Sequence, residues 1–459
     1  MTIIITTILL LSLILIACSP LTKVNKAAVA MFAAALGWML YIAFGTDFVM
    51  KEHNTEFADF LSGATLNSDA VKEYIASNIF IKYVGKAAEI VLFLLATMTI
   101  VQLLNSNGCF DFLQKWLRTR HSRRLLWSMA GITLVVSANL DNVTTTTMML
   151  VVMQQMIASR KHRAIFASVI LLSANIGGAA TVIGDTTGLY LWNSGAVTAS
   201  HFFAWMLIPG LIAWGVPTFL ISRKLPERID LEPIRMPYRG DDTNLKAWQR
   251  IVMLFFAIGG LWFIPTFHNI TKLSPFVGAL CVLSLLWVVN EVFNRKLMGA
   301  DQMEQQRIPR ALQYSTVHLM LFVTGIMLMA GLMVETGAST WAGQFCQNTL
   351  GEAWTVCIAP LLAGATSLWL DSFATATSFF SMYSVSGTDV LTQNGEYWIS
   401  IAYATAMGGT ILAIGSMSGL AMLKMKYVTF GWYLRHFTPK VLIGALLGLA
   451  ALIAEAYCF

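Results

Sequence analysis

Charged side chains are scarce in this chain: Asp, Glu, Lys and Arg make up 12% of its 459 residues, while 57% are hydrophobic. A soluble domain carries about 25% charged and about 45–50% apolar residues. With half that charge, there is too little polar surface to coat a water-soluble globule. A cytosolic enzyme, a nucleic-acid binder and a disordered chain are excluded on that ground. Cysteine is also sparse. Cys18, Cys109, Cys281, Cys346, Cys357 and Cys458 show no CxxC spacing, so they give neither a metal signal nor a disulfide framework and read as small buried hydrophobes. The P-loop pattern GxxxxGK[ST], zinc spacings, nucleophile elbows and dinucleotide fingerprints are missing. No cofactor and no ATP-driven step by this chain alone is therefore expected.

What the chain does contain is long apolar runs. Runs long enough to cross ~30 Å of hydrocarbon occur at about 2–18, 27–45, 87–105, 164–198, 202–221, 250–267, 274–294, 313–333, 397–423 and 440–459. Leu15-Ile16-Ala17-Cys18 resembles a lipoprotein cleavage box, but no Lys or Arg precedes it. The charged region of a signal peptide is thus missing, and 2–18 reads as a retained span. Two further apolar stretches, 125–158 and 353–385, are each broken in the middle by polar residues. The polar stretch 222–249, with Pro226, Pro233, Pro237 and Gly240, reads as a linker between two halves.

Lys and Arg distribution sets orientation. Basic clusters at Lys23/Lys26, Arg118–Arg124, Arg160–Arg163, 223–250, Arg295–Arg310 and Lys424–Lys440 are expected in the cytoplasm. No Lys or Arg occurs from 311 to 423, so loops 334–352 and 386–396, carrying Glu335, Glu352, Asp389 and Glu396, are expected outside, as is loop 46–86. Stretch 125–158 then lies between two cytoplasmic clusters and must enter and return. Its arms, 125–139 and 145–158, rise only ~22 Å each at 1.5 Å per residue, short of a full crossing. It reads as a re-entrant hairpin, and 353–385 as one from the opposite side.

The expected fold is an all-α polytopic membrane protein of about ten transmembrane helices plus two re-entrant hairpins. Residues 1–221 form one repeat, 222–249 the cytoplasmic linker and 250–459 a second repeat of opposite topology, a plan common among secondary transporters. Internal similarity supports it. Leu140-Asp141-Asn142-Val143-Thr144-Thr145-Thr146-Thr147 parallels Leu370-Asp371-Ser372-Phe373-Ala374-Thr375-Ala376-Thr377. Gly177-Gly178 through Gly184-Asp185 parallels Gly408-Gly409 through Gly415-Ser416. The hairpin Asp precedes the glycine pair by 36 residues in one half (141 to 177) and 37 in the other (371 to 408).

Backbone at membrane depth must be satisfied internally unless it lines a cavity. Gly177, Gly178 and Gly184, and Gly408, Gly409 and Gly415, therefore mark helix breaks in 164–198 and 397–423. Freed carbonyls and Asn, Ser and Thr oxygens at such breaks suit a hard cation, whereas half-helix N-termini suit an anion. Asp185 is the only charged residue from 164 to 222, and an ionisable group inside a span is by default a functional candidate. Asp141 sits at the first tip among Ser137, Asn139, Asn142, Thr144 and Thr145, and Asp371 sits at the second. The competing readings are a helix cap for Asp185 and turn-forming residues for Asp141 and Asp371. Asn175, Thr186, Thr187, Thr410 and Ser416 offer further oxygens, with helix packing or backbone bonding as the alternative. Glu89 and Glu335 read as facing water at span ends, and His318 as a partly solvated packing residue.

At these motifs the chain resembles the NhaD-type Na+/H+ antiporters of the ion transporter superfamily. The resemblance runs through Ser137–Thr146, Ser173–Gly178, Ile183–Thr187, Ala402-Tyr403, Gly408–Thr410, Ile414–Ser416 and Gly431–Leu434. It implies a bacterial inner-membrane antiporter exchanging Na+ or Li+ for protons, working as a homodimer, with the cation site at Asp141, Asn142, Thr144, Asn175, Asp185, Thr186, Thr187 and Asp371. The core of the Na+ site falls on Asp141, Asn142, Asn175 and Asp185. The second tip departs from the family's usual Asp-Asn-Val-Pro, reading Asp371-Ser372-Phe373-Ala374. The third span ends in Gln102, Asn105 and Asn107 before Gly108, where the family is usually acidic with a His. Two other classes stay open on the sequence alone: a Na+-coupled symporter or exporter of an anion such as a carboxylate or arsenite, and a non-transporting membrane scaffold or sensor. Absence of Lys and Arg from both expected breaks favours the cation.

Overall fold

The structure is a computed structural model that describes residues 1–61, 67–232, 245–294, 314–386 and 390–458. Pro233, Pro237 and Gly240 of the expected linker, the basic run Arg295–Arg310 and Asp389 lie outside the described residues.

The described chain is built from helices. In order, the ones that frame the site are α1 (Thr2–Ala17), α2 (Lys26–Ala43), α3 (Ile81–Ser106), α4 (Ser122–Asn139), α5 (Asn142–Met156), α6 (Arg160–Ala179), α7 (Thr186–Asn193) and α8 (Ala199–Ser222). They continue with α9 (Ala247–Thr271), α10 (Pro275–Asn294), α11 (Tyr314–Glu335), α12 (Ala359–Ser367), α13 (Ser372–Phe380), α14 (Glu396–Ile411), α15 (Met417–Lys424) and α16 (Thr438–Cys458). Eight helices among the described residues are long and apolar enough to cross a membrane. The outermost, α9 and α10, pack on each other and turn Phe255, Trp262, Val288 and Val292 outward. Such large apolar groups are tolerated on an outer face only where lipid replaces water. The chain is an all-α, multi-pass membrane protein.

Four helices start inside the protein, each just after a polar residue. Asp141 caps α5 and Asp371 caps α13, each following a hairpin turn. Asp185 caps α7 and Ser416 caps α15, each following a helix break. These residue types belong there, because a side-chain oxygen satisfies N–H groups that a helix start leaves bare, worth about 1 kcal/mol per cap. The breaks span 180–185 and 412–416 and fall where the glycine pairs place them. A Cβ on Gly178 would stand 2.8 Å from the Gly184 carbonyl oxygen, and one on Gly409 3.0 Å from that of Gly415. Only glycine lets the chain fold back on itself so closely.

Each break is stitched to its hairpin in the same way. Asn142 N donates to Gly184 O at 3.2 Å, and Ser372 N to Gly415 O at 3.0 Å. Ser137 Oγ donates to Ala174 O at 2.6 Å, and Ser367 Oγ to Thr405 O at 2.7 Å. The halves also interleave: α5 packs on α15, α7 on α13, and α6 on α14. Both hairpin tips and both breaks thereby meet in one place.

Three details differ from the sequence reading. The third span begins well before residue 87: helix runs from Ser68 to Ser106, through a π-helical turn at Ile75–Phe80. Lys82 and Lys86 interrupt the apolar pattern but lie on the exposed face, so they do not end the helix. Glu335 does not face water. It is 6% exposed and is held by Tyr83 OH (2.7 Å), His53 Nε2 (2.7 Å) and Tyr41 OH (3.4 Å). Finally, Lys23 is exposed but its neighbour Lys26 is buried.

Candidate functional site

The carboxylates Asp141 and Asp371 are buried at the two tips, and Asp185 is half-buried at the first break. Asp185 interacts electrostatically with both of the others. Asp141 Oδ2 accepts from Thr144 N at 2.8 Å and Thr144 Oγ1 at 3.0 Å. Asp185 Oδ1 accepts from Asn142 Nδ2 at 2.9 Å, and its Oδ2 from Thr187 N at 3.3 Å. Asp371 Oδ1 accepts from Phe373 N at 3.1 Å.

Asn175 joins the two halves. From the last turns of α6 its Nδ2 donates to Thr410 Oγ1 at 2.9 Å and Ser416 Oγ at 3.3 Å. Ser416 Oγ also accepts from Gly419 N at 3.1 Å. With its amide nitrogen directed at these hydroxyls, Asn175 turns its carbonyl oxygen elsewhere, and that oxygen is buried without a hydrogen-bond partner.

It is not alone. Thr145 Oγ1, Thr375 Oγ1, Ser418 Oγ and Asp371 Oδ2 are also buried and unpartnered. A buried polar atom left unpaired costs about 1–3 kcal/mol, so five of them on the tips and breaks demand an account. Every one is an oxygen carried on the first turns of a half-helix or at its cap, or on α6 beside them. Oxygens in such number are the ligand type for a hard cation. Among the described residues no group of three or more His, Cys, Asp or Glu side chains could hold a metal. A cation here would therefore be held by separated carboxylates together with neutral amide and hydroxyl oxygens.

The helix N-termini bear on charge preference. Exposed N–H groups at half-helix starts attract anions. Here Asp141, Asp185 and Asp371 already accept from those N–H groups, and Ser416 does so at the fourth. The built-in anions use up the anion-seeking ends of the helices, and what faces the remaining space is oxygen.

The expected site residues fall into three groups. Asp141, Asn142, Thr144, Asp185 and Thr187 cluster at the first tip and break, with Thr186 starting α7 beside them and Thr145 one turn into α5. Asn175, Thr410 and Ser416 form the bridge, and Asp371 stands at the second tip. Ser137 and Asn139 point elsewhere: the Ser137 hydroxyl bonds the α6 backbone, Asn139 Nδ2 donates to Val135 O at 2.6 Å, and Asn139 Oδ1 accepts from Trp262 of α9. Thr375 and Ser418 were not singled out by sequence. The signal was present, since Thr375 lies 230 residues after Thr145, as Asp371 does after Asp141, and Ser418 lies 231 after Thr187, as Ser416 does after Asp185.

Cavities reach this cluster. One of about 660 Å³ is lined by Lys26, Val143, Thr147, His318, Met417 and Lys424, so it touches the starts of α5 and α15. A second, of about 210 Å³, has Gln102, Asn105, Gln114, Thr144 and Gln155 in its wall. A third, of about 320 Å³, lies against Tyr83, Tyr190, Thr340, Phe380 and Ser381, beside α7 and the last residues of α13.

The chain matches the protein family described as citrate transporter (CitMHS) over residues 4–378. It is 27% identical over 375 residues to sodium/proton antiporter 1 of Arabidopsis thaliana, covering 81% of this chain and 62% of that protein. The chain thus spans less than two thirds of that relative. It is 26% identical to sodium/proton antiporter 2 of the same plant, covering 81% and 86%. To the Na(+)/H(+) antiporter NhaD of Vibrio parahaemolyticus it is 24% identical over 383 residues, covering 78% and 87%.

Proposed function

The chain belongs to the CitMHS citrate-transporter family, whose members move solutes across membranes and are not enzymes, and from that premise we propose that it exchanges Na+ or Li+ for protons by alternating access. The observation that carries the cation is the set of buried, unpartnered oxygens around Asp141, Asp185 and Asn175, at helix starts whose N–H groups are already taken by the chain's own carboxylates. The names of its relatives point the same way.

The mechanism follows from charge. A bare carboxylate is too costly to leave in an apolar interior and must be neutralised by a proton or a cation. Asp141 and Asp185 therefore accept one or the other, with Asn142, Asn175, Thr187 and nearby hydroxyls completing the cation's shell. If the site crosses the membrane only when neutralised, competition alone couples the two ions. The carboxylates interact, so their protons belong to the pair and not to either residue. In this reading 125–158 and 353–385 are re-entrant hairpins of two inverted repeats, 1–221 and 250–459. Loops 334–352 and 386–396 face outward, 159–163 and 222–249 face the cytoplasm, and the protein works as a homodimer in a bacterial inner membrane.

A second reading, coupled transport of an anion such as a carboxylate or arsenite, is favoured by the basic lining of the 660 Å³ cavity, which includes Lys23, Lys26 and Lys424. Everted membrane vesicles separate the two. The cation reading expects added Na+ or Li+ to collapse an imposed proton gradient, and citrate or arsenite to leave it unchanged. The opposite pattern sinks it.

A further inference from the structure

The cation reading gives no role to Lys26. Lys26, the first residue of α2, is 5% exposed, and its Nζ has no hydrogen-bond partner. Lysine is almost never buried unless paired. It faces the 660 Å³ cavity, whose lining holds three other basic groups, Lys23, His318 and Lys424, and no acid. The buried acid within electrostatic reach of Lys26 is Asp371, which is 3% exposed and whose Oδ2 is likewise unpartnered. The fold brings the two together through α11, which packs on α2 along one side and on α13 along another. Neither atom has a partner within hydrogen-bond distance, so the interaction is one of opposite buried charges that act on each other without direct contact.

Resting on the exchange reading of the site, we propose that Lys26 is the resident counter-cation of Asp371, so that the second hairpin tip carries a built-in positive charge and only Asp141 and Asp185 exchange ions. The first tip has no equivalent: no Lys or Arg is among the leading electrostatic influences on Asp141 or Asp185, and that tip must draw its positive charge from solution. Lys26 thus sets how many of the three carboxylates a transported ion can occupy. Its ammonium on a long flexible stem suits the task, being a compact point charge that substitutes for a monovalent cation.

The test is a charge-pair cycle in the full-length protein: Lys26→Met, Asp371→Asn, the double variant, and Lys26→Arg. Two readouts are taken, the melting temperature in detergent and Na+-dependent proton movement in proteoliposomes. Each single neutralisation strands a buried charge. Each is expected to lower the melting temperature by several degrees or more and exchange by at least roughly tenfold. The double variant removes both charges and is expected to recover most of the loss in both readouts, and Lys26→Arg to stay near wild type. If a single variant does not accumulate while the double does, the pairing is supported. A double variant no better than the worse single overturns it. So does citrate that raises the melting temperature of wild type but not of Lys26→Met, since the lysine would then serve an anion. Melting needs no transported ion, so compensation in melting without Na+-driven proton movement in wild type would sink the exchange reading and leave the pair standing.

Discussion

At the first hairpin tip Asp141 lies near a second carboxylate, Asp185, across the break that separates α6 from α7. In the second half the residue in the place of Asp185 is Ser416, and the opposite charge acting on Asp371 comes from Lys26 on α2. Around both tips the backbone contacts are the same: tip amide to break carbonyl, hairpin serine to helix carbonyl, glycine against glycine. The glycines and serines hold the same local geometry at both tips, while the side chains at 185/416 and at 26 differ in charge. On the exchange reading, like scaffolding around unlike chemistry gives one transport site and one supporting site.

The largest expected effect breaks that comparison outright. Asp141→Asn and Asp185→Asn each abolish Na+-dependent proton release while the protein still folds and inserts, and Asp371→Asn costs less, as read in everted vesicles. Equal losses at all three positions would mean that the halves are functionally alike. The bridge between halves comes next. Asn175→Ala removes two hydrogen bonds of about 1 kcal/mol each and one cation oxygen, so half-maximal exchange should need roughly tenfold or more Na+. An unchanged requirement would make Asn175 a packing residue. A smaller effect sharpens the structural likeness. Gly178→Ala and Gly409→Ala should each destabilise by about 1–3 kcal/mol, because the new methyl meets a backbone carbonyl. Melting shifts that differ widely between the two would show that the breaks are not equivalent.

Much of this was readable in advance, for definite reasons. The spans follow from apolar runs, and the breaks from glycine pairs with a polar cap at a fixed distance. Both are local signals, and the breaks and most of the helices formed where they pointed; the third span alone begins well ahead of its apolar run. The side-chain chemistry was less accessible, because it depends on contacts far apart in the chain. Lys26 and Asp371 are separated by most of the sequence, and beside Lys23 the lysine looked like one more topology signal. Asn139 looked like a ligand at a polar tip, but Trp262 takes its amide oxygen. Glu335 sat at a span end and looked solvated, until Tyr41, His53 and Tyr83 converged on it from three other segments. Thr375 and Ser418 were recoverable, since internal similarity maps them onto Thr145 and Thr187.

The smallest expected effect lies away from the tips, in the loop that His53 ties to Glu335. Burial pulls the His53 pKa down, but hydrogen bonds and charge from Glu335 and Glu56 outweigh it and raise it above the ordinary 6.5. A group whose folded pKa is raised contributes stability that is fully present below the unfolded value. The contribution should thus be complete below pH 6.5 and fade as pH rises through the folded value. His53→Gln should flatten this part of the melting-versus-pH curve, by no more than about 1 kcal/mol. A curve unchanged by the substitution would remove His53 from the account.

The central claim is that Na+ and protons compete for Asp141 and Asp185. It is tested most directly by adding Na+ to purified protein in weakly buffered detergent solution and recording proton release. The account predicts that wild type releases protons as Na+ binds, that Asp371→Asn still does so, and that Asp185→Asn does not. Na+ binding with no proton release from wild type, or undiminished release from Asp185→Asn, would contradict it.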